Sequence, residues 1–232
     1  MFTYDDAVTE RFPAVRAGAI HATGLVNGPS SPELLAEYRA EQQAASQRLD
    51  EIALADLPSV AAWRRAFTQF GVKPTQHRNA AEALLRRLAK HGDIPTINML
   101  VDIGNLVSIR YALPVAAFDQ AGIAGSTTVR FATGAELFTD LGSTEAVSPE
   151  PGEVVFVDAN NVVSARRWCW RQSAESAISA TTVDALIIVE GLHESAEQDT
   201  NSALTDLTSL VATHQPQSQT KSYVLSPTHP RI

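Results

Sequence analysis

The stretch Asn98–Asp119 is NMLVDIGNLVSIRYALPVAAFD, and the interpretation of the whole chain starts from it. Its apolar residues recur at mixed three- and four-residue steps, which predicts a buried helix that Pro114 ends. Asp102 and Asn105 lie three positions apart, so a helix places both on one face. Small polar groups are costly to bury without partners. We therefore expect Asp102 to brace the helix and Asn105 to serve a site.

The same stretch resembles the B3/B4 editing domain of the phenylalanyl-tRNA synthetase β subunit. The family pattern runs roughly V-D-x-T-N-Y-V-M-x-E-x-G-Q-P-L-H-A-F-D. The matching residues are Val101, Asp102, Asn105, Val107, Pro114, Ala117, Phe118 and Asp119. Gly104 stands in place of the family's threonine and Ala116 in place of its histidine. The family's domain hydrolyses tyrosine wrongly esterified to tRNA(Phe), so the resemblance implies an editing-type hydrolase whose pocket takes a different amino acid.

The resemblance implies an α+β fold, a layered sheet sandwich of the synthetase editing-domain type with flanking helices. It covers roughly residues 73–192, which we take as the family-like core of a single domain over residues 1–232. Caps and apolar stripes predict an N-terminal helical hairpin over 30–71, packed on this core, and a last helix over 194–213. Residues 214–232 are expected to form an extended tail. The predicted strands are Ala14–Leu25, Thr127–Ala132, Glu153–Asp158, Val162–Trp168 and Ala185–Glu190.

Composition limits the possible functions. With 44% hydrophobic residues among 232, the chain can bury a substantial core. Its 18 Lys and Arg against 26 Asp and Glu give a net charge of −8, which argues against indiscriminate nucleic-acid binding. An RNA ligand would need a local basic patch. One cysteine excludes an internal disulfide. No apolar run suits a membrane span, and the N-terminus has no signal-peptide core, so we expect a cytoplasmic protein.

Residues 166–173, RRWCWRQS, form an unusual cluster for an acidic chain. In a strand, Arg167, Cys169 and Arg171 share one face. Arginine binds phosphates and an indole ring stacks on a base, so the cluster is a candidate contact for an RNA end. The candidate RNA-binding residues are Arg166, Arg167 and Arg171, and the candidate substrate-binding residues are Trp170 and Ser173. The alternative is that the tryptophans pack in the core and the arginines pair with carboxylates. Cys169 is expected to be a buried, unreactive thiol.

Further candidates lie on either side of this cluster. Glu190 ends a very apolar strand, and the resemblance implies that it faces the substrate. Gly104 and Ala116 are candidate substrate-binding positions through the same resemblance. Lys73 and Arg78 belong to a basic segment, continued by outward-facing arginines of the next helix, that is a candidate contact for the RNA backbone.

These residues predict a tRNA-binding, trans-acting aminoacyl-tRNA hydrolase, with Asn105 and Glu190 as catalytic residues. The expected partner is the aminoacylated 3′ end of tRNA, with a transient contact to a synthetase and with neither a membrane nor DNA. No metal or organic cofactor is expected, because an aminoacyl ester is already activated. Two alternatives stay open. One is a non-catalytic RNA-binding module of the same fold, and the other is a small-molecule hydrolase or ligand-binding protein.

Overall fold

The computed structural model describes all 232 residues, which form six α-helices and eleven strands in three sheets. The helices are α1 Asp6–Arg11, α2 Pro32–Glu51, α3 Pro58–Gln69, α4 Ala80–His91, α5 Met99–Tyr111 and α6 Ala196–His214. The strands are β1 Phe2–Tyr4, β2 Arg16–Thr23, β3 Val115–Asp119, β4 Thr127–Phe131, β5 Phe138–Thr139, β6 Ala146–Val147, β7 Val154–Val157, β8 Val163–Arg166, β9 Arg171–Gln172, β10 Asp184–Gly191 and β11 Gln219–Leu225. None of the helices combines the length and apolar character needed to cross a membrane.

Two large sheets and a set of helices form three layers. The four-stranded sheet has the order β11-β2-β10-β3, and every neighbouring pair is antiparallel. Ile187 and Val189 of β10 pack against α2, α4, α5 and α6 on one face. Because side chains alternate along a strand, Leu186 and Ile188 pack on the other face, against the five-stranded sheet β1-β4-β7-β8-β9. This arrangement confirms the predicted α+β sandwich with flanking helices.

Helix α5 is the buried helix that the opening stretch predicts. Asn98 caps its first turn, and Ala112, in the left-handed conformation at φ 52°, ends it. Asp102 is fully buried and accepts hydrogen bonds from Ser30 Oγ at 2.6 Å and from the backbone N–H of Ile97 at 2.9 Å. The expected bracing role of Asp102 is therefore confirmed.

The helices predicted between residues 30 and 71 exist, but they do not form a hairpin. Leu34 and Tyr38 of α2 lie in the core between the helices and the four-stranded sheet. Trp63 and Phe67 of α3 lie instead in the core between the two large sheets. The hairpin prediction is wrong because an amphipathic pattern shows which side of a helix is buried but not which core receives it.

The C-terminal segment is more than a tail. β11 pairs with β2 over its whole length and forms an edge of the four-stranded sheet. The chain end then pairs with the chain start, through the Phe2 N–H and Ile232 carbonyl at 3.3 Å and the reverse bond at 2.9 Å. The expected extended conformation is thus present, but as a part of the sheet structure.

Candidate functional site

A cavity of about 330 Å³ opens between the two large sheets. Residues 114–116 at the start of β3, Phe156 in β7 and the chain from 168 to 172 form much of its wall. Ala80, the first residue of α4, and Glu190, in the penultimate position of β10, line it from two further elements. The lining is mainly apolar, so the few polar groups in it decide what it can bind.

Glu190 is the buried carboxyl group of this cavity, with 3% of its surface exposed. Its Oε1 accepts hydrogen bonds from Trp168 Nε1 at 2.8 Å and from the Tyr4 hydroxyl. Its Oε2 accepts no hydrogen bond from the protein. Burial raises the pKa of Glu190 to about 7, against the opposing effect of these two hydrogen bonds. Near neutral pH the cavity therefore holds both the ionised and the neutral carboxyl group.

The chain after Arg166 forms a tight turn and not the predicted strand. β8 ends at Arg166, and Arg167 and Trp168 follow with φ of 48° and 62°. β9 then returns, so that Arg166 lies opposite Arg171. The left-handed backbone is unfavourable for these residues, but it lets Trp168 pack, fully buried, among the rings of the inter-sheet core. The predicted alternation of side chains along this segment is wrong.

The turn gathers three guanidinium groups around the half-buried ring of Trp170. The carbon atoms of these groups lie 4.5 Å from the ring centre for Arg167, 4.8 Å for Arg171 and 5.9 Å for Arg166. Such distances suit cation–π contact. Two of the arginines also pair with a buried carboxylate, since Glu153 lies 2.7 Å from Arg166 and 3.3 Å from Arg167.

The third arginine, Arg171, pairs with Asp140, and its side chain keeps 49% of its surface exposed. Both of these residues line the cavity. The carboxylate-pairing alternative is therefore correct for all three arginines, while only one of the two tryptophans lies in the core.

Four of the predicted site residues line this cavity between the sheets, namely Ala116, Trp170, Arg171 and Glu190. The basic segment containing Lys73 and Arg78 lies beside them, because the ring of His77 packs edge-on against Trp170 at 4.7 Å. Lys73 is exposed, and the Arg78 side chain bonds to the Thr75 carbonyl at 2.7 Å and lies 3.5 Å from Glu82.

Three predicted site residues lie elsewhere. Asn105 belongs to α5, on the other face of the four-stranded sheet, where its side chain lies beside the Tyr38 hydroxyl. Gly104 packs against β3, with a Cβ position 3.4 Å from Val115, and does not line the cavity. Ser173 directly follows β9 and is buried, and its hydroxyl lies 3.1 Å from the hydroxyl of Ser176.

The resemblance aligned α5 with a site-bearing segment, but only the strand that follows it reaches the cavity. The assignments of Asn105 as catalytic and of Gly104 and Ser173 as substrate-binding are therefore not supported by their positions.

Cys169 lines the cavity, and its environment disfavours the thiolate form. Burial raises the pKa of its thiol well above the usual value, and the nearby Glu190 carboxylate adds to this effect. The expected unreactive thiol is consistent with this environment.

Sequence reasoning missed Tyr4 and Asp140. Tyr4 lies in the three-residue strand β1 and reaches Glu190 across 186 positions of sequence. No local pattern indicates such a contact. Asp140 follows the two-residue strand β5 in a polar loop, where nothing in the sequence distinguishes it from a solvated residue.

Three comparisons place the chain among known proteins. Residues 62–214 match the family model described as B3/4 domain, and this range contains every residue that lines the cavity. Over 184 residues the chain is 28% identical to the phenylalanine–tRNA ligase β subunit of Shewanella oneidensis. This alignment covers 79% of this chain and 23% of that protein. A crystal structure of an N-terminal fragment of the phenylalanyl-tRNA synthetase β subunit from Pyrococcus horikoshii aligns with a TM-score of 0.49 at 11% identity. That alignment covers 95% of this chain and 50% of the fragment, so the chain spans only part of either relative.

Proposed function

The chain belongs to the B3/4 domain family, and from that premise we propose that it is a trans-acting aminoacyl-tRNA hydrolase that cleaves a wrongly attached amino acid from tRNA. The observation that carries this proposal is the cavity itself. A buried carboxyl group lies within an apolar pocket, and an indole ring surrounded by arginines lies at the same pocket. The two parts match the two parts of an aminoacylated RNA end.

The apolar half of the cavity receives the aminoacyl group. Its apolar wall selects the amino acid by the size and shape of its side chain. Oε1 of Glu190 is held by Tyr4 and Trp168, which leaves Oε2 to face the attacking water. Ala116 occupies the family's histidine position and lines the same cavity. The smaller side chain leaves room there and removes a donor, which favours a target other than tyrosine.

The terminal nucleoside and its phosphate bind at the arginine cluster. The Trp170 ring supplies a stacking surface. Arg171 is the most exposed of the three arginines, and its pairing with Asp140 can be exchanged for a phosphate oxygen. Lys73 and Arg78 extend the positive charge beside this ring.

Hydrolysis of the ester needs no covalent nucleophile from the protein. A water molecule attacks the acyl carbon, the bond to the ribose oxygen breaks, and one proton of the water passes to that oxygen. The products are the free amino acid and a tRNA with a free hydroxyl group. A carboxyl group with a pKa near 7 is suited to accept and return this proton, and Glu190 is the cavity's candidate. We propose that the protein acts in the cytoplasm on charged tRNA, in transient contact with a synthetase.

A small-molecule hydrolase or ligand-binding protein is the second candidate. The ion pairs of Arg166 with Glu153 and of Arg171 with Asp140 favour it, because they neutralise charge that RNA would otherwise meet.

Deacylation of mischarged tRNA by two variants tests the proposal. Trp170→Ala should raise KM by roughly 5- to 150-fold, because stacking on one base is worth about 1–3 kcal/mol. Glu190→Gln should lower kcat by about 100-fold or more if it transfers the proton. Val183→Ala, at an exposed position that does not line the cavity, is the control. If the wild type neither binds tRNA nor deacylates it, the small-molecule hydrolase or ligand-binding protein is favoured.

A further inference from the structure

The exposed face of α4 carries an unpaired basic patch. Arg86, Arg87 and Lys90 are all exposed, and none of them forms a salt bridge. The three arginines around Trp170, in contrast, are all paired with carboxylates. A chain with a net charge of −8 thus leaves three free cations within five positions of one helix. They line a shallow groove with His91 and the apolar Leu54.

This patch is connected to the cavity by the helix that bears it. The first residue of α4, Ala80, lines the cavity, and its N–H donates to the Cys169 carbonyl at 2.8 Å. With a rise of 1.5 Å per residue, Arg86 lies about 9 Å and Lys90 about 15 Å along the helix axis from Ala80. The interval of about 6 Å between the two cations corresponds to about two steps between phosphates of one strand, which follow at about 3.4 Å along the axis of a duplex, and so reaches about three successive phosphates.

From this arrangement we infer that the α4 patch, Arg86, Arg87 and Lys90, binds the phosphate backbone of the RNA strand whose 3′ end occupies the cavity. The inference rests on the proposed function and adds the path of the RNA. The patch is made of three cationic side chains, which bind the phosphates of any nucleotide. Phosphate contacts position a nucleic acid without distinguishing its sequence. The protein therefore selects the attached amino acid in the cavity and accepts tRNAs of different sequence along α4.

The test is a charge reversal of the patch, Arg86→Glu with Arg87→Glu and Lys90→Glu. The probe is an uncharged RNA hairpin with a single-stranded CCA end, and the measurement is its Kd over a range of salt concentrations. Three phosphate contacts contribute about 2 to 3 to the slope of log K against log salt. The wild type should thus lose about 20- to 40-fold more affinity than the variant between 50 and 200 mM salt. A second hairpin of scrambled stem sequence should give the same result.

The matched control reverses three other exposed cations without ion pairs, Arg11→Glu with Lys221→Glu and Arg231→Glu. It changes the net charge equally and should retain most of the affinity and the salt slope. An equal loss in both triple variants, or none in the α4 variant, would overturn the inference while leaving the proposed hydrolysis intact. Absence of RNA binding in the wild type would overturn both proposals. Binding that depends on α4 without any deacylation would support the RNA path and refute the hydrolase.

Discussion

Replacing Glu190 with glutamine should make the protein relatively more stable as the pH rises. Burial raises the pKa of this carboxyl group from 4.5 to about 7. The folded state therefore keeps a proton that the unfolded chain releases, and its stability is full below pH 4.5 and falls as the pH rises to about 7. Because a tenfold change in an equilibrium constant corresponds to about 1.4 kcal/mol, raising this pKa from 4.5 to about 7 lowers the stability above pH 7 by about 3 kcal/mol. Glutamine keeps an acceptor for Tyr4 and Trp168 and cannot ionise.

The assay is urea unfolding of the wild type and of Glu190→Gln at several pH values from about 4 to 8. Subtracting the two unfolding free energies at each pH cancels the contributions that the other titrating groups make to stability. The difference should change by about 3 kcal/mol in favour of the variant across this range. Glu194→Gln, at an exposed position outside the cavity, serves as a matched control for the loss of a carboxyl group. A constant difference for Glu190→Gln would refute the argument that Glu190 is ionised at a cost in an apolar cavity.

Three further predictions concern other parts of the chain. Gly122→Ala places a Cβ 1.8 Å from the Glu175 carbonyl oxygen, so urea unfolding should report a loss of about 3 kcal/mol or more, whereas Gly28→Ala, with no atom within 4 Å, should be nearly neutral. Burial disfavours the ionised Glu136, yet backbone and arginine hydrogen bonds outweigh it and lower its pKa to about 2. Glu136→Gln should therefore cost about 3 kcal/mol above pH 4.5, a loss that fades as the pH falls toward 2 and that paired unfolding curves would detect. Asn105→Ala should leave the kcat/KM of deacylation within about twofold, since Asn105 lies outside the cavity, and a loss of about 100-fold in a folded variant would restore its catalytic role.

The sequence predicted helices, strands and turns well where caps, periodicity or turn residues within one segment determine them. Asn79 caps the beginning of α4 and Gly92 caps its end. A run of apolar residues predicted the buried strand β10. The Asn160-Asn161 pair is typical of a hairpin turn, and Asn161, at φ 60°, lies in the turn between β7 and β8. These features depend on backbone preferences and on periodicity, which a single segment carries by itself.

The site was less accessible to the same reasoning, because tertiary contacts decide it. Arg167 and Trp168 adopt the left-handed conformation only because the buried indole compensates for it. An alternating pattern therefore predicted a strand that does not exist there. Asn105 matched the family pattern, yet α5 packs on one face of the four-stranded sheet, whereas β3 is a strand of that sheet and reaches the cavity from its other face. Tyr4 is joined to Glu190 by the fold alone.

The central claim is that the cavity hydrolyses a mischarged aminoacyl-tRNA, and the most direct test is release of the amino acid. A panel of correctly and incorrectly charged tRNAs would be incubated with the purified protein and with Glu190→Gln. The account predicts that the wild type releases one wrong amino acid, that it spares the correctly charged tRNAs and that Glu190→Gln loses this activity. Release of no amino acid from any charged tRNA, or equal release by the variant, would contradict it.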